Sequence, residues 1–148
     1  VEARLRPSDE AVAGVKAIVD AANGEGIPFQ LNARTDAIAK GGDRPIKDSI
    51  EDAIARGRAF LDAGAAMVFV PRALTRDVIE PLVAGLGHGK LSVIGAPGAL
   101  TAAELQELGV ARVSYGPFPQ RVALRALQDL AADLYGSGVI PQDTPALN

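Results

Sequence analysis

The chain has 148 residues, of which 48% are hydrophobic, and this length suits one domain with a sizeable core. Its net charge is −3 and its fifteen Lys and Arg residues are scattered, which argues against a nucleic-acid groove and a basic membrane-binding patch. It contains no cysteine, so it offers neither disulfides nor a thiolate nucleophile, and no segment approaches the roughly 18 apolar residues of a membrane span. We expect a cytoplasmic protein.

Helical and strand-like patterns alternate along the sequence. Phe29, Leu31 and Ala33 alternate with polar residues, which is the period of a strand. Residues 65–70 form a short apolar run, typical of a strand covered on both faces in a parallel sheet. The predicted elements are, in chain order, a helix over 8–23, a strand from 29, a helix over 45–63, a strand over 65–70, a helix over 75–86 with a kink or late start at Pro81, a strand over 91–96, a helix over 101–108 that opens with a Thr101/Glu104 capping box, a strand over 111–116, and a helix over 120–135 with Val122, Ala126, Leu127, Leu130 and Leu134 facing inward.

This alternation predicts an α/β fold with a parallel sheet and crossover helices. A faint internal repeat, residues 61–71 against residues 106–116, supports repeated units of helix, glycine and strand. Four such units make half of a TIM-type (β/α)8 barrel, which typically needs about 250 residues. We expect residues 1–138 to form the half-barrel and residues 139–148, with two prolines, to form an extended tail.

Half a barrel leaves two open strand edges, and something must cover them. We expect the edges at the strands beginning near Phe29 and Ala111. Either the native polypeptide extends about 100 residues upstream, by the usual barrel size, or two chains close one barrel.

Charged residues follow the first predicted strand, where ligands of α/β folds bind. Arg34 is the first candidate, either as an anion clamp or in a structural ion pair with Asp36. Asp36 could contact a metal-bound water or cap local backbone N–H groups. Asn32 could bind a ligand or form hydrogen bonds with neighbouring residues inside the barrel. One carboxylate is not a Mg²⁺ site, so the sequence offers no metal ligand set.

Other polar residues fall at the strand ends. Ser114 and Tyr115 close the last predicted strand, and either substrate contact or simple packing fits them. His88 is the only histidine, but it precedes a strand, which places it at the opposite end of the sheet.

An ordered set of motifs resembles the isocitrate lyase and phosphoenolpyruvate mutase superfamily, in particular carboxyvinyl-carboxyphosphonate phosphorylmutase-like members. The motifs lie at residues 32–37, 41–42, 63–71, 95–98 and 108–117, within a match over roughly residues 5–135. The resemblance implies a (β/α)8 barrel of which this chain supplies strands five to eight. It also implies cleavage or formation of a carbon-carbon or carbon-phosphorus bond beside a carboxylate, with Mg²⁺ holding an enolate-like oxyanion.

The resemblance also assigns roles. Arg34 matches the family arginine that holds the carboxylate or phosphonate, and Ser92 stands where many members have Asn. The family's metal-binding acids and cysteine-bearing loop belong to the first half of the barrel, so Mg²⁺ ligands are expected outside this chain. No catalytic residue is assigned. The expected substrate-binding residues are Arg34, Asn32, Ser92 and Ser114, with Asp36 and Tyr115 behind them.

Three functions are compatible with the sequence. The first is a Mg²⁺-dependent lyase or phosphomutase that acts on a small 2-oxo or 2-hydroxy carboxylate, or a phosphonate, and forms a homodimer or homotetramer. The second is a non-catalytic half-barrel, either a fragment or a module that pairs with another chain. The third is a sugar-phosphate enzyme with the same barrel fold, in which the loops after the last two strands bind the phosphate.

Overall fold

A computed structural model of the chain describes residues 5–145. Its residues cluster into two compact units, unit 1 up to Ser114 and unit 2 from Tyr115 onward. Helices and strands alternate in the predicted order. They are α1 (Ser8–Gly24), β1 (Asn32–Arg34), α2 (Ile46–Asp62), β2 (Met67–Phe69), α3 (Arg76–Leu86), β3 (Leu91–Ile94), α4 (Ala102–Leu108), β4 (Arg112–Ser114) and α5 (Phe118–Ser137).

The four strands form one parallel sheet in the order β1-β2-β3-β4, which confirms the predicted topology. Sequential order with a helix between each pair of strands is the arrangement of a barrel rather than of a doubly wound sheet. Ala33, Val68 and Leu91 are register partners, so they share one face of the sheet. Side chains of α1, α2, α3 and α4 all belong to the two core clusters that contain these three residues. The four helices of unit 1 therefore cover the same face.

The core lies between these helices and the sheet. Val68 and Leu91 are fully buried, and Leu82 and Leu86 of α3 pack in the same cluster. Gly57 of α2 packs closely against β2 and α3. A Cβ at this position would be 2.5 Å from Leu86 Cδ2 and 3.3 Å from Val68 Cγ1. A side chain at position 57 would therefore separate α2 from β2 and α3.

The structure corrects the predicted starts of one strand and one helix. The first strand begins at Asn32 rather than Phe29, because Pro28 has no N–H and the Phe29 N–H bonds to the Ile27 carbonyl within the same segment. Helix α3 begins at Arg76 and continues through Pro81, so the expected late start is wrong. The capping box is confirmed, with Thr101 N–H donating to Glu104 Oε2 at 2.9 Å.

Unit 2 consists of α5 and the segment after it, where Gly138 ends the helix in the left-handed conformation. The helix is confirmed, but none of its residues is buried, so the expected inward placement of its apolar side chains is wrong. The predicted boundary between residues 138 and 139 stays a prediction. Within the described part of the chain, no helix combines the length and apolar character that crossing a membrane requires.

Candidate functional site

The face of the sheet opposite the helices is the open face of unit 1. Its residues follow from the strand register, because register partners share a face. Arg34 pairs with Phe69, Phe69 with Ser92, and Ser92 with Arg112, so these four side chains form one row across the sheet. None of residues 65–70 is exposed: Met67 and Phe69 on this face are half-buried, and Val68 and Val70 on the helix side are fully buried. The other residues of the open face are Asn32, Met67, Ile94 and Ser114.

Arg34 ends β1 and lies at the rim of the open face. Its guanidinium carbon is 5.8 Å from the centroid of the Phe69 ring, within cation–π range. Its Nε and Nη2 both contact Asp36 Oδ1, at 2.8 and 2.7 Å. Two of the five guanidinium N–H groups point to this carboxylate, and the side chain is 58% exposed. The remaining donors leave Arg34 able to bind an anion while it stays paired with Asp36.

Asn32, Ser92 and Arg112 form a hydrogen-bonded network across the open face. Asn32 Nδ2 donates to Ser92 Oγ at 3.2 Å, and Arg112 Nη1 donates to the same oxygen at 3.4 Å. Ser92 is fully buried. Asn32 Oδ1 is also buried and has no hydrogen-bond partner among residues 5–145. The network links β1, β3 and β4 across this face.

The carboxylate of Asp36 interacts with two cations. Arg34 contacts Oδ1, and Lys40 Nζ lies 3.8 Å from Oδ2. In the described part of the chain, no group of three or more His, Cys, Asp or Glu residues could hold a metal ion. A Mg²⁺ site needs oxygen ligands that are free to coordinate, so these residues do not by themselves fit the ion.

Ser114 and Tyr115 are the remaining predicted site residues, and they and His88, which was expected outside the site, lie at different places. Ser114 shares the open face, but its hydroxyl donates to the Val93 carbonyl at 3.4 Å. Tyr115 belongs to unit 2 and is 56% exposed. His88 precedes β3 and packs against Gly109, which precedes β4. His88 is therefore at the amino end of the sheet, as the sequence predicts, and away from Arg34.

A groove of about 470 Å³ runs along the free edge of β1. Asn32, Arg34 and Asp36 line it together with Arg6 and Arg56. Arg56 is held by the Arg6 carbonyl at 2.9 Å and by Asp52 at 2.9 Å. The groove places basic groups beside Arg34 at the edge where β1 has no second neighbouring strand among residues 5–145.

The sequence reasoning missed Phe69 and Arg112. Both follow from a signal that was available, since residues two apart in a strand share a face. Arg112 is two residues before Ser114, and Phe69 falls in the apolar run that was treated as buried on both sides. Applying the period of two to β4 would have placed Arg112 on the face of Ser114, and the register places Arg112 and Phe69 beside Ser92.

Comparisons with known proteins agree with this architecture. The family model for phosphoenolpyruvate phosphomutase matches residues 1–135. A candidate phosphonomutase from Burkholderia cenocepacia J2315 is 35% identical, with a TM-score of 0.78, and the match covers 86% of this chain and 51% of that chain. An uncharacterised protein of Mycobacterium tuberculosis H37Rv is 37% identical over 92 residues, which are 62% of this chain and 35% of that protein.

A more distant structure supports the fold alone. The 2,3-dimethylmalate lyase, a PEP mutase/isocitrate lyase superfamily member, has a TM-score of 0.79 at 23% identity, with 96% of this chain and 49% of that chain covered. The chain thus spans about half the length of these solved relatives and about a third of the curated one. On the family match over residues 1–135, the chain belongs to the phosphoenolpyruvate phosphomutase family.

Proposed function

We propose that the complete protein is a Mg²⁺-dependent lyase or phosphomutase acting on a small 2-oxo or 2-hydroxy carboxylate or a phosphonate. In this proposal the chain supplies strands five to eight of a (β/α)8 barrel. The observation that carries it is the position of Arg34 at the carboxyl end of β1, with donors left over after its contact with Asp36. Active sites of such barrels lie at this end of the strands.

Each residue has a distinct part in the proposed site. Arg34 binds the substrate carboxylate or phosphonate through its planar fork, and Asp36 together with the Phe69 ring holds that fork in place. Asn32 and Ser92 form a polar floor on the same face of the sheet as Arg34. Ser114, whose hydroxyl bonds a backbone carbonyl, and the exposed Tyr115 remain proposed contributors.

Magnesium belongs to the proposal, but its ligands are expected outside this chain. The carboxylate of Asp36 is paired with Arg34 and Lys40 and is therefore not free to coordinate the ion. Bound Mg²⁺ supplies Lewis-acid stabilisation of an enolate-like oxygen in reactions of this type. What this chain contributes is recognition of the acid group and orientation of the substrate.

A non-catalytic half-barrel is the second candidate. The Arg34–Asp36 ion pair favours it, because a guanidinium paired with a neighbouring carboxylate can serve the fold alone. In that case Arg34 would contribute to the stability of the strand end, and anions would not bind there.

We also propose a cytoplasmic homo-oligomer, a dimer or tetramer, for the complete protein. Unit 2 has several exposed apolar side chains. They support self-association, since exposed apolar surface favours contact with another protein surface. They include Val122, Leu127 and Tyr135 of α5 and Val139 and Ile140 after it.

Thermal melting with oxalate, an enolate mimic, separates the two functions. A ligand that binds only the native state at one hundred times its Kd adds about 2.7 kcal/mol, which raises the Tm of a chain this size by roughly 5 to 10 °C. We expect oxalate to stabilise the wild-type chain and the Arg76→Met control but not the Arg34→Met variant. Mg²⁺ added alone should leave the Tm unchanged, because its ligands lie outside the chain.

The control is matched because Arg76 is also a partly exposed arginine paired with one carboxylate, Glu80, at 3.1 Å. Equal stabilisation of the Arg34→Met variant would remove Arg34 from the site. If oxalate stabilised none of the three proteins, the non-catalytic half-barrel would be the better account of this chain.

A further inference from the structure

Arg72 follows strand β2 at the carboxyl end of the sheet, which is also the end where Arg34 lies. The strands β1 and β2 are parallel, and Arg34 pairs with Phe69 in their register. The N–H of Thr35 donates to the Phe69 carbonyl at 3.0 Å, so the chain leaves β2 close to Arg34. Arg72 is three residues beyond Phe69, and its Cα is therefore at most about 16 Å from that of Arg34. Two extended arginine side chains can span this distance through one small ligand.

The backbone of Arg72 is strained. It has the left-handed conformation, with φ of 68°, and every other residue of positive φ among residues 5–145 is a glycine. This conformation is unfavourable for a residue with a Cβ and unstrained for glycine. Arginine therefore makes the chain less stable here than glycine would, and such positions cluster at functional sites.

The turn that contains Arg72 is held on both sides. Before it, Val70 is fully buried and its N–H donates to the Ser92 carbonyl at 3.1 Å. After it, the Leu74 carbonyl accepts a hydrogen bond from the Leu100 N–H at 3.2 Å. The surrounding structure thus imposes the strained conformation and gives the base of the Arg72 side chain one defined position.

The guanidinium of Arg72 is available to a ligand. The residue is exposed, and among residues 5–145 it makes no hydrogen bond, ion pair or ring contact. By contrast, Arg76 at the start of α3 pairs with Glu80 at 3.1 Å. A planar guanidinium with all its donors available suits a carboxylate or a phosphonate, which it can bind through two parallel hydrogen bonds.

We propose that Arg72 is a specificity-determining residue that binds a second acid group of the substrate, at the end remote from Arg34. The ligand is then a small di-acid, which carries a carboxylate together with a second carboxylate or a phosphonate. The inference rests on the proposed function, because Arg34 holds the first acid group there. A second charge-assisted contact at an exposed site should strengthen binding about tenfold over a mono-acid of the same size.

Two matched ligands test this in NMR titrations of the 148-residue chain at low salt. Malate and 2-hydroxybutyrate share a 2-hydroxy carboxylate, and malate has a second carboxylate where 2-hydroxybutyrate has a methyl group. The wild type and the Arg76→Met control should bind malate about tenfold more tightly than 2-hydroxybutyrate. Arg72→Gly should bind malate about tenfold more weakly than the wild type does and should bind 2-hydroxybutyrate equally well.

Thermal melting adds a readout that a structural role would not give. Arg72→Gly should raise the Tm by about 2 to 4 °C, because glycine relieves the strained backbone. Higher stability together with weaker malate binding identifies a side chain that serves the ligand at a cost to the fold.

Three results would overturn the inference: no preference for malate in the wild type, an unchanged preference in Arg72→Gly, or a lower Tm for Arg72→Gly. Failure of the proposed function looks different, since Arg34→Met would then bind both ligands as tightly as the wild type. A wild type that binds neither ligand would overturn both. If circular dichroism shows Arg72→Gly to be unfolded, Arg72→Met replaces it in the titrations, and an unchanged preference overturns the inference equally.

Discussion

Replacing Ser92 with alanine tests the polar floor of the proposed site. Ser92 is fully buried and is the partner through which the Asn32 amide and Arg112 are connected. The substitution removes the acceptor of Asn32 Nδ2 from a half-buried amide whose Oδ1 is already buried and unpaired among residues 5–145. An unsatisfied buried polar group costs about 1 to 3 kcal/mol, whereas the bond from the exposed Arg112 adds little. We therefore expect Ser92→Ala to lower the free energy of unfolding by about 2 kcal/mol.

Urea unfolding of the variants in a double-mutant cycle measures this loss of unfolding free energy directly. With a slope of about 2 kcal/mol per molar urea, Ser92→Ala should lower the midpoint by about 1 M. The cycle with Asn32→Ala should give a coupling energy of about 1 kcal/mol, and the cycle with Arg112→Met one close to zero. A Ser92→Ala midpoint equal to that of the wild type, or no coupling to Asn32, would refute the network.

Two further predictions concern the two ends of α4. Gly109→Ala should destabilise the chain by about 1 to 3 kcal/mol more than Gly98→Ala in urea unfolding, because both positions have positive φ but only the Cβ at position 109 would collide with His88. At the other end, hydrogen bonds from Thr101 lower the pKa of Glu104 below its ordinary value of 4.5, so the stabilisation is present above that value and is lost as the pH falls through the lowered pKa. Unfolding measured from pH 7 to pH 3 should show this loss in the wild type and not in Glu104→Gln.

Element type and order were predictable because the local signals were strong. The apolar run of β2 and the capping box of Thr101 and Glu104 depend on neighbouring residues alone, and both predicted elements formed. Strand limits were not predictable, since pairing decides them. Phe29 continues the alternating pattern, yet the ladder to β2 begins only where Asn32 meets Met67.

The site was only partly predictable for a related reason. Arg34 is visible from its place at a strand end, but its contacts with Phe69 and Asp36 depend on register and on the path of the following turn. Arg112 could be placed beside Ser92 only once the residue register between β3 and β4 was known. A residue whose role depends on a neighbouring strand can be identified from the sequence only if the face on which each strand residue lies is assigned first.

The central claim is that Arg34 and the open face bind the acid group of a substrate. NMR of the isotope-labelled 148-residue chain, titrated with oxalate, tests it by location. The account predicts that the Arg34 Nε–H signal and the backbone amide of Ser92 shift together along one saturating curve, while His88 at the amino end of the sheet does not move. Shifts confined to Arg6 and Arg56 in the groove beside β1, or no saturable shift at all, would contradict it.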